Sequence, residues 1–295
     1  MASFSRLSSP AADKISDLPD SILCHILSFL PSKQAATTSI LSKRWKQVWL
    51  SIFTLHFDDK IFKDFNSFRK FVYLTMFSLR DKKVSIHSLT FRCSRFSRFN
   101  QKEFDRIIKF VMQRGIENLD FDMFHRQRVI KLPPRILNLK TLQVLKLANI
   151  KMGDFDQVDF PLIKTLHLHR IYFISPEYIV KFLLGCPMVE DLYTESLVLN
   201  KSPVPMEDLN ALPNLVKARV CDRNTPMALL GKAKILHIDE ETLLLLALFA
   251  VHSALLNLDP SNSLQPEGGS QGIIHIGQAA GPAEHSNGGT STSLV

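Results

Sequence analysis

Apolar residues recur through the first fifty positions with the period of short helices. Ile22, Leu23, Ile26, Leu27 and Leu30 fall along one side of a 3.6-residue repeat. Pro19 suits the first turn of that helix, Asp17 and Asp20 suit the positive end of its dipole, and Pro31 stops it. The spacing therefore predicts a helix from Pro19 to Phe29. Ser32 is the expected N-cap of a second helix carrying Ala35, Ala36 and Ile40, and Ser42 that of a third with Trp45 and Trp49 one turn apart. Helices of about ten residues are not stable alone in water, so all three must pack on each other and on something else.

Further on, Phe68, Phe71, Val72, Thr75, Met76 and Leu79 keep helical spacing and predict a connecting helix. Then the phrase apolar-x-x-Leu-x-apolar begins to repeat: Ile86/Leu89/Phe91, Ile116/Leu119/Phe121, Leu142/Leu145/Leu147, Ile163/Leu166/Leu168 and Val189/Leu192. Weaker copies are Leu215/Ala218/Val220 and Ala233/Leu236/Ile238, and steps between the central residues are 30, 26, 21, 26, 26 and 18. Most of these fall within the range of leucine-rich repeats, and each copy alternates like a strand with one buried face. Between the strands, Asn100 with Glu103 reads as a capping box ahead of Phe104, Ile107, Ile108, Val111 and Met112, with Gly115 as the stop. Ser175-Pro176 followed by Tyr178, Ile179, Phe182, Leu183 and Gly185 repeats that scheme. Parallel strands joined by helices stack into a solenoid, expected here from Val84 to Asp239.

Composition narrows the class. A chain of 295 residues, 45% hydrophobic and 22% charged, buries a sizeable core and forms more than one structural unit. The opening MASFSRLSSPAA has no apolar run and reads as a flexible N-terminus over 1–12, not a secretory signal. Cys24, Cys93, Cys186 and Cys221 are scattered without metal-ligand spacing, which points to a reducing compartment, nucleus or cytoplasm, and away from a zinc module. Cys186 reads as a small buried hydrophobe.

The net charge of +8 permits an acidic partner. Arg92, Arg95, Arg98 and Lys102, interleaved with Phe91, Phe96 and Phe99, offer two readings: a stacking surface for single-stranded nucleic acid, or a solvated loop leaving a strand. The second is the commoner, and neither nucleic acid nor membrane is expected as a partner. His167 and His169 share one strand face without an identifiable third metal ligand. No hydrolase, metalloprotease, dinucleotide or phosphate-loop motif is present, so no catalysis, cofactor or metal is expected.

Leu18-Pro19, the Ile22 to Leu30 stripe, Leu30-Pro31, the run from Thr38 to Trp45 and then Trp49 resemble the plant F-box almost position for position. The resemblance implies three helices over 13–55 that dock onto a Skp-type adaptor and, through it, onto cullin and RING subunits. It implies adaptor contacts at Leu18, Pro19, Ile22, Ile26, Leu30, Leu41 and Trp45. The phrase from Leu184 to Leu192 is similar to the leucine-rich region of the same family. Many leucine-rich repeats carry Asn or Cys just after the strand, but this chain has Ser94, Phe124, Ile150, Ile171 and Leu197. The fold class implied is α+β/α/β: a helical F-box, a helical connector over 56–83, and an irregular repeat array over 84–240.

After Asn224 the match weakens. Thr242 to Leu258 is uncharged and apolar, but carries His252, Ser253 and Asn257, which predicts a buried or capping helix over 241–258 and not a membrane span. Residues 259–295, rich in Gly, Ser, Pro, Asn and Gln, read as a disordered tail. Together these imply a substrate-recognition adaptor of an SCF-type ubiquitin ligase. Its target would meet outward strand positions that include Arg92, Asp122, Lys146, His167, His169 and Arg219. A repeat scaffold without a ligase role, a nucleic-acid binder, and a truncated F-box protein lacking a complete target surface are the alternatives.

Overall fold

A computed structural model describes residues 14–15, 17–80, 85–94, 97–124, 129–200, 209–256 and 291–294. The expected flexible N-terminus, Arg95, Phe96 and all but four residues of the expected tail lie outside these.

Three helices form the first unit: α1 (Asp20–Ser28), α2 (Ser32–Thr37) and α3 (Lys43–Trp49), with a 3-10 turn at Thr38–Ile40. Ser42 caps α3 as expected, its hydroxyl oxygen accepting the Trp45 N–H at 3.3 Å. Ser32 does not cap α2. It is the first residue of the helix, buried behind Pro31, and its Oγ accepts the His56 N–H at 2.7 Å, tying the helices to the next element. Leu23, Cys24 and Leu27 pack inward with Ala35, Trp45, Val48, Trp49 and Ile52, and this small core is continuous with that of the strands beyond.

The strand array starts earlier than the sequence suggests. β1 (Thr54–Asp58) lies parallel to β2 (Ser88–Cys93), with Leu55 opposite Leu89 and Phe57 opposite Phe91. So α4 (Phe65–Leu79) is the crossover of the first repeat, not a connector between units. The chain continues through α5 (Gln101–Met112), β3 (Asn118–Met123), β4 (Ile130–Leu132), β5 (Val144–Ala148), β6 (Ile150–Met152), β7 (Thr165–His169) and β8 (Tyr172–Phe173). Then come α6 (Pro176–Leu184), β9 (Asp191–Glu195), β10 (Val198–Leu199), β11 (Lys217–Cys221), β12 (Ile235–Asp239), α7 (Glu240–Leu256) and β13 (Ser291–Leu294).

Strands β1, β2, β3, β5, β7, β9, β11 and β12 form one parallel sheet in that order, with β13 antiparallel at the far edge. Among the residues of the expected disordered tail, Ser291–Leu294 is thus a strand. The register puts Leu55, Leu89, Leu119, Leu145, Leu166, Leu192, Ala218 and Leu236 in one inward row. The next inward row begins with rings and ends with smaller groups: Phe57, Phe91, Phe121, Leu147, Leu168, Thr194, Val220 and Ile238. Phe91 touches Phe57, Phe68, Phe99 and Phe121 with ring centroids 5.5 to 6.1 Å apart, so the end nearest the helices is packed by aromatic side chains.

A second, short parallel sheet, β10-β8-β6-β4, runs along the side of the first. The turns into it explain how the repeats manage without an Asn row. Asn149, Arg170 and Ser196 adopt φ of 58, 51 and 54°, and their N–H groups donate to the carbonyls of His169, Glu195 and Cys221 in the following repeat at 3.1, 2.8 and 3.3 Å. Backbone thereby satisfies backbone at each corner, and Ile150, Ile171 and Leu197 just beyond are free to be buried apolar residues.

The α5 capping box forms as expected: Glu103 N–H donates to Asn100 Oδ1 and Asn100 N–H to Glu103 Oε2, both at 3.0 Å. Glu103 is buried and also receives Arg69 of α4 at 2.6 Å, so one carboxylate joins two crossover helices. Gly115 ends the segment at φ 63°. At α6, Ser175 makes no cap, its hydroxyl bonding Glu177 instead. Gly185 is there for space, since a Cβ would lie 2.5 Å from the Val158 side chain. Helix α7 opens behind Asp239, whose Oδ1 accepts the Thr242 N–H at 2.8 Å. It departs from a buried helix at Leu244 and Leu248, which are exposed. No helix among the described residues is long and apolar enough to cross a membrane.

Candidate functional site

Two surfaces carry the expected site residues. On the helical unit the apolar stripe of α1 splits in two. Leu23 and Leu27 turn into the core, while Ile22, Ile26 and Phe29, at i, i+4 and i+7, turn outward, Phe29 being 76% exposed. Ile15, Ile40 and Leu41 are further exposed apolar residues of this unit, the last two at 85% and 65% exposure. Leu18 is half-buried and Pro19 exposed. Their position is fixed by Arg44 of α3, whose Nε donates to Asp20 Oδ1 at 2.9 Å and whose Nη2 bonds the Leu18 carbonyl. Leu30 is half-buried, and Trp45, 9% exposed, sits in the core.

The second surface is the outward face of the main sheet. Strand alternation and register place Thr90, Asp120, Lys146, His167, Tyr193, Arg219 and His237 in one row. Asp58, Arg92, Asp122, Ala148, His169, Glu195 and Cys221 form the row beside it. All six expected target contacts are thus on one face. Several of their charges are already paired within the chain. Arg92 Nη2 donates to Asp120 Oδ2 at 3.0 Å, a bond that raises the guanidinium pKa above its ordinary value, and Asn149 Nδ2 donates to Asp122 Oδ1 at 2.6 Å.

Farther along, His169 Nδ1 lies 2.7 Å from Glu195 Oε2, and the Tyr193 hydroxyl donates to the same oxygen. Burial pushes the Glu195 carboxyl up, but these two bonds outweigh it and leave its pKa below the usual value. Burial, with Lys146 nearby, lowers the His167 pKa, and its ring meets Tyr193 edge-on at 5.5 Å. No group of three or more His, Cys, Asp or Glu suited to a metal occurs among the described residues.

Phe91 and Phe99, which the less common of the two readings put on a stacking surface, are in the core. Burial pushes the thiols of Cys93 and Cys186 well up, and that of Cys221 to about 11, so all three are protonated near neutrality.

Residues 15–54 match the F-box domain family, and residues 104–210 match the leucine-rich repeats of FBD-associated F-box protein At5g56370. In sequence the chain is similar to F-box proteins with leucine-rich repeats. Among its Arabidopsis thaliana relatives, the putative F-box/FBD/LRR-repeat protein At5g22670 is 32% identical over 216 residues, covering 72% of this chain and 47% of the relative. The F-box/LRR-repeat protein At4g14096 is 33% identical over 201 residues, covering 63% and 40% respectively. FBD-associated F-box protein At5g56370 is 35% identical over 184 residues, covering 60% and 42%. The chain spans less than half the length of these relatives. No catalytic family is indicated by any of these matches.

Within the F-box, the outward residues that sequence reasoning passed over are Ile15, Phe29 and Ile40. For Phe29, at the end of α1, the signal was the width of the stripe. Adjacent apolar pairs, Ile22-Leu23 and Ile26-Leu27, are about 100° apart around the helix, more than one packed neighbour covers.

Proposed function

We propose that this protein is a substrate-recognition adaptor of an SCF-type ubiquitin ligase. Its outward α1 face docks a Skp-type adaptor, which brings cullin and RING subunits, and the sheet face of its repeats holds a target protein. The observation carrying this reading is the set of exposed apolar residues Ile22, Ile26, Phe29, Ile40 and Leu41 on the helical unit, together with the Leu18-Pro19 segment tied to Arg44. Large apolar groups left in water on a folded unit mark a partner surface. The chain itself performs no chemistry. Holding target and ligase together raises their effective concentration, and the transfer of ubiquitin belongs to the other subunits. Four free cysteines suit a reducing compartment, nucleus or cytoplasm.

The test is a mixing experiment with the purified full chain and a purified Skp-type subunit. A complex is expected on gel filtration, and it should be lost when Ile22 and Ile26 are both replaced by Asp. Two well-folded proteins that elute separately would overturn the assignment.

A further inference from the structure

At the end of the sheet face nearest the F-box, β1, β2 and β3 border a cavity of about 540 Å³. Asp58, Asp59, Asp120 and Asp122 line it, against two cations, Lys60 and Arg92. Although the whole chain is net positive, the described residues that line this cavity are net negative. Arg92 is bonded to Asp120 at 3.0 Å and also feels Asp58 and Asp122, so one guanidinium is shared among three carboxylates.

Asp59 supplies a separate observation. It is nine-tenths buried, and its Oδ2 accepts three bonds, from the Ser94 N–H and hydroxyl, both at 2.9 Å, and from the Ser97 hydroxyl at 2.7 Å. Its other oxygen, Oδ1, has no hydrogen-bond partner among the described residues. A buried carboxylate oxygen left without a donor is costly, and a cation with several N–H groups is the species best able to relieve it.

We propose that this cavity receives the basic side chain, arginine or lysine, of a target segment lying across the repeats. The inference rests on the target-binding reading above and gives that target its chemistry. A bound metal ion fits less well, because these carboxylates form no metal-holding group among the described residues. A side-chain cation on a peptide fits the open sheet face, where neighbouring strands are about 4.8 Å apart and continue the contact to Lys146 and His167.

The experiment uses the full chain and a fluorescent nine-residue Gly-Ser peptide with one central arginine, its lysine counterpart, and a citrulline counterpart of matching shape without charge. Anisotropy should report binding of the first two, weakened by salt, with citrulline about tenfold weaker or worse. Asp120→Asn and Asp122→Asn should each weaken the arginine peptide about tenfold with an unchanged melting temperature, because each amide keeps an oxygen for Arg92 or Asn149.

Equal binding of arginine and citrulline, no binding of any peptide at millimolar concentration, or full binding in both variants would overturn the proposal. Binding to the Skp-type subunit is measured on the same samples. A wild-type chain that binds the arginine peptide but not that subunit supports this inference and sinks only the ligase reading.

Discussion

The F-box face and the repeat face solve opposite problems. On the F-box, large apolar groups such as Phe29 and Ile40 are held in water, and the segment beside them is tied down by Arg44 and by Leu18 packing against the core. On the repeats the apolar groups are inside and the face is charged, with Arg92, Asp122 and His169 already paired to Asp120, Asn149 and Glu195. An apolar face gains free energy from any complementary apolar partner. A charged face whose groups are satisfied internally gains only from a partner that improves on those bonds, so it discriminates more than it attracts. On the reading proposed above, the apolar face would serve attachment and the charged face selection.

The largest expected effect tests whether these two regions share one fold. The buried residues of helices and repeats form one continuous core, and Phe91 stands at its aromatic end between Phe57, Phe68, Phe99 and Phe121. Phe91→Ala should cost about 3–5 kcal/mol and lower the melting of F-box and repeats together, as followed by tryptophan fluorescence from Trp45 and Trp49 and by circular dichroism. Two separated transitions would show that the faces belong to independent units.

Next in size is the attachment itself. Replacing Ile26 alone by Asp places a charge in the middle of the exposed α1 line, and binding of the Skp-type subunit should weaken by about 2 kcal/mol or more. Stability should stay within about 0.5 kcal/mol, since Ile26 is outside the core. The neighbouring change Leu27→Asp should instead unfold the helices, because Leu27 is 2% exposed. If both substitutions behaved alike, the split of the stripe into an outer and an inner half would be wrong.

That split also marks how far the sequence was legible. Period-2 alternation named the outward row of the repeats correctly because a strand offers only two faces, and the register then aligned it. A helix offers a continuum, so Ile22 and Leu23 look alike until the neighbours are known. β1 was legible in principle: Ile52, Leu55 and Phe57 repeat the apolar-x-x-Leu-x-apolar phrase, but Leu55 precedes Leu89 by 34 residues, beyond the usual repeat length. The strands of the second sheet have two or three residues each, too few for alternation to show. Ser32 was misplaced because a tertiary partner, the His56 N–H, takes the oxygen that a cap would use. The acidic cavity was invisible because Asp58 and Asp59 are far in sequence from Asp120 and Asp122, and only the pairing of β1 with β2 and β3 brings them together.

The smallest expected effect concerns the corners that carry the repeat face. Arg170 holds φ 51°, where an L-residue with a Cβ is strained by about 1–2 kcal/mol. Its N–H donates to the Glu195 carbonyl at 2.8 Å and its side chain is exposed. Glycine keeps the N–H and removes the strain, but frees the unfolded chain by about 0.4–1 kcal/mol. Arg170→Gly should therefore stabilise the protein by roughly 0.5–1 kcal/mol in urea unfolding. Arg170→Ala, which keeps the Cβ, should give no such gain. A glycine variant no more stable than the alanine variant would mean that the corner is not strained, and that the backbone ladder through Asn149, Arg170 and Ser196 costs the repeats nothing.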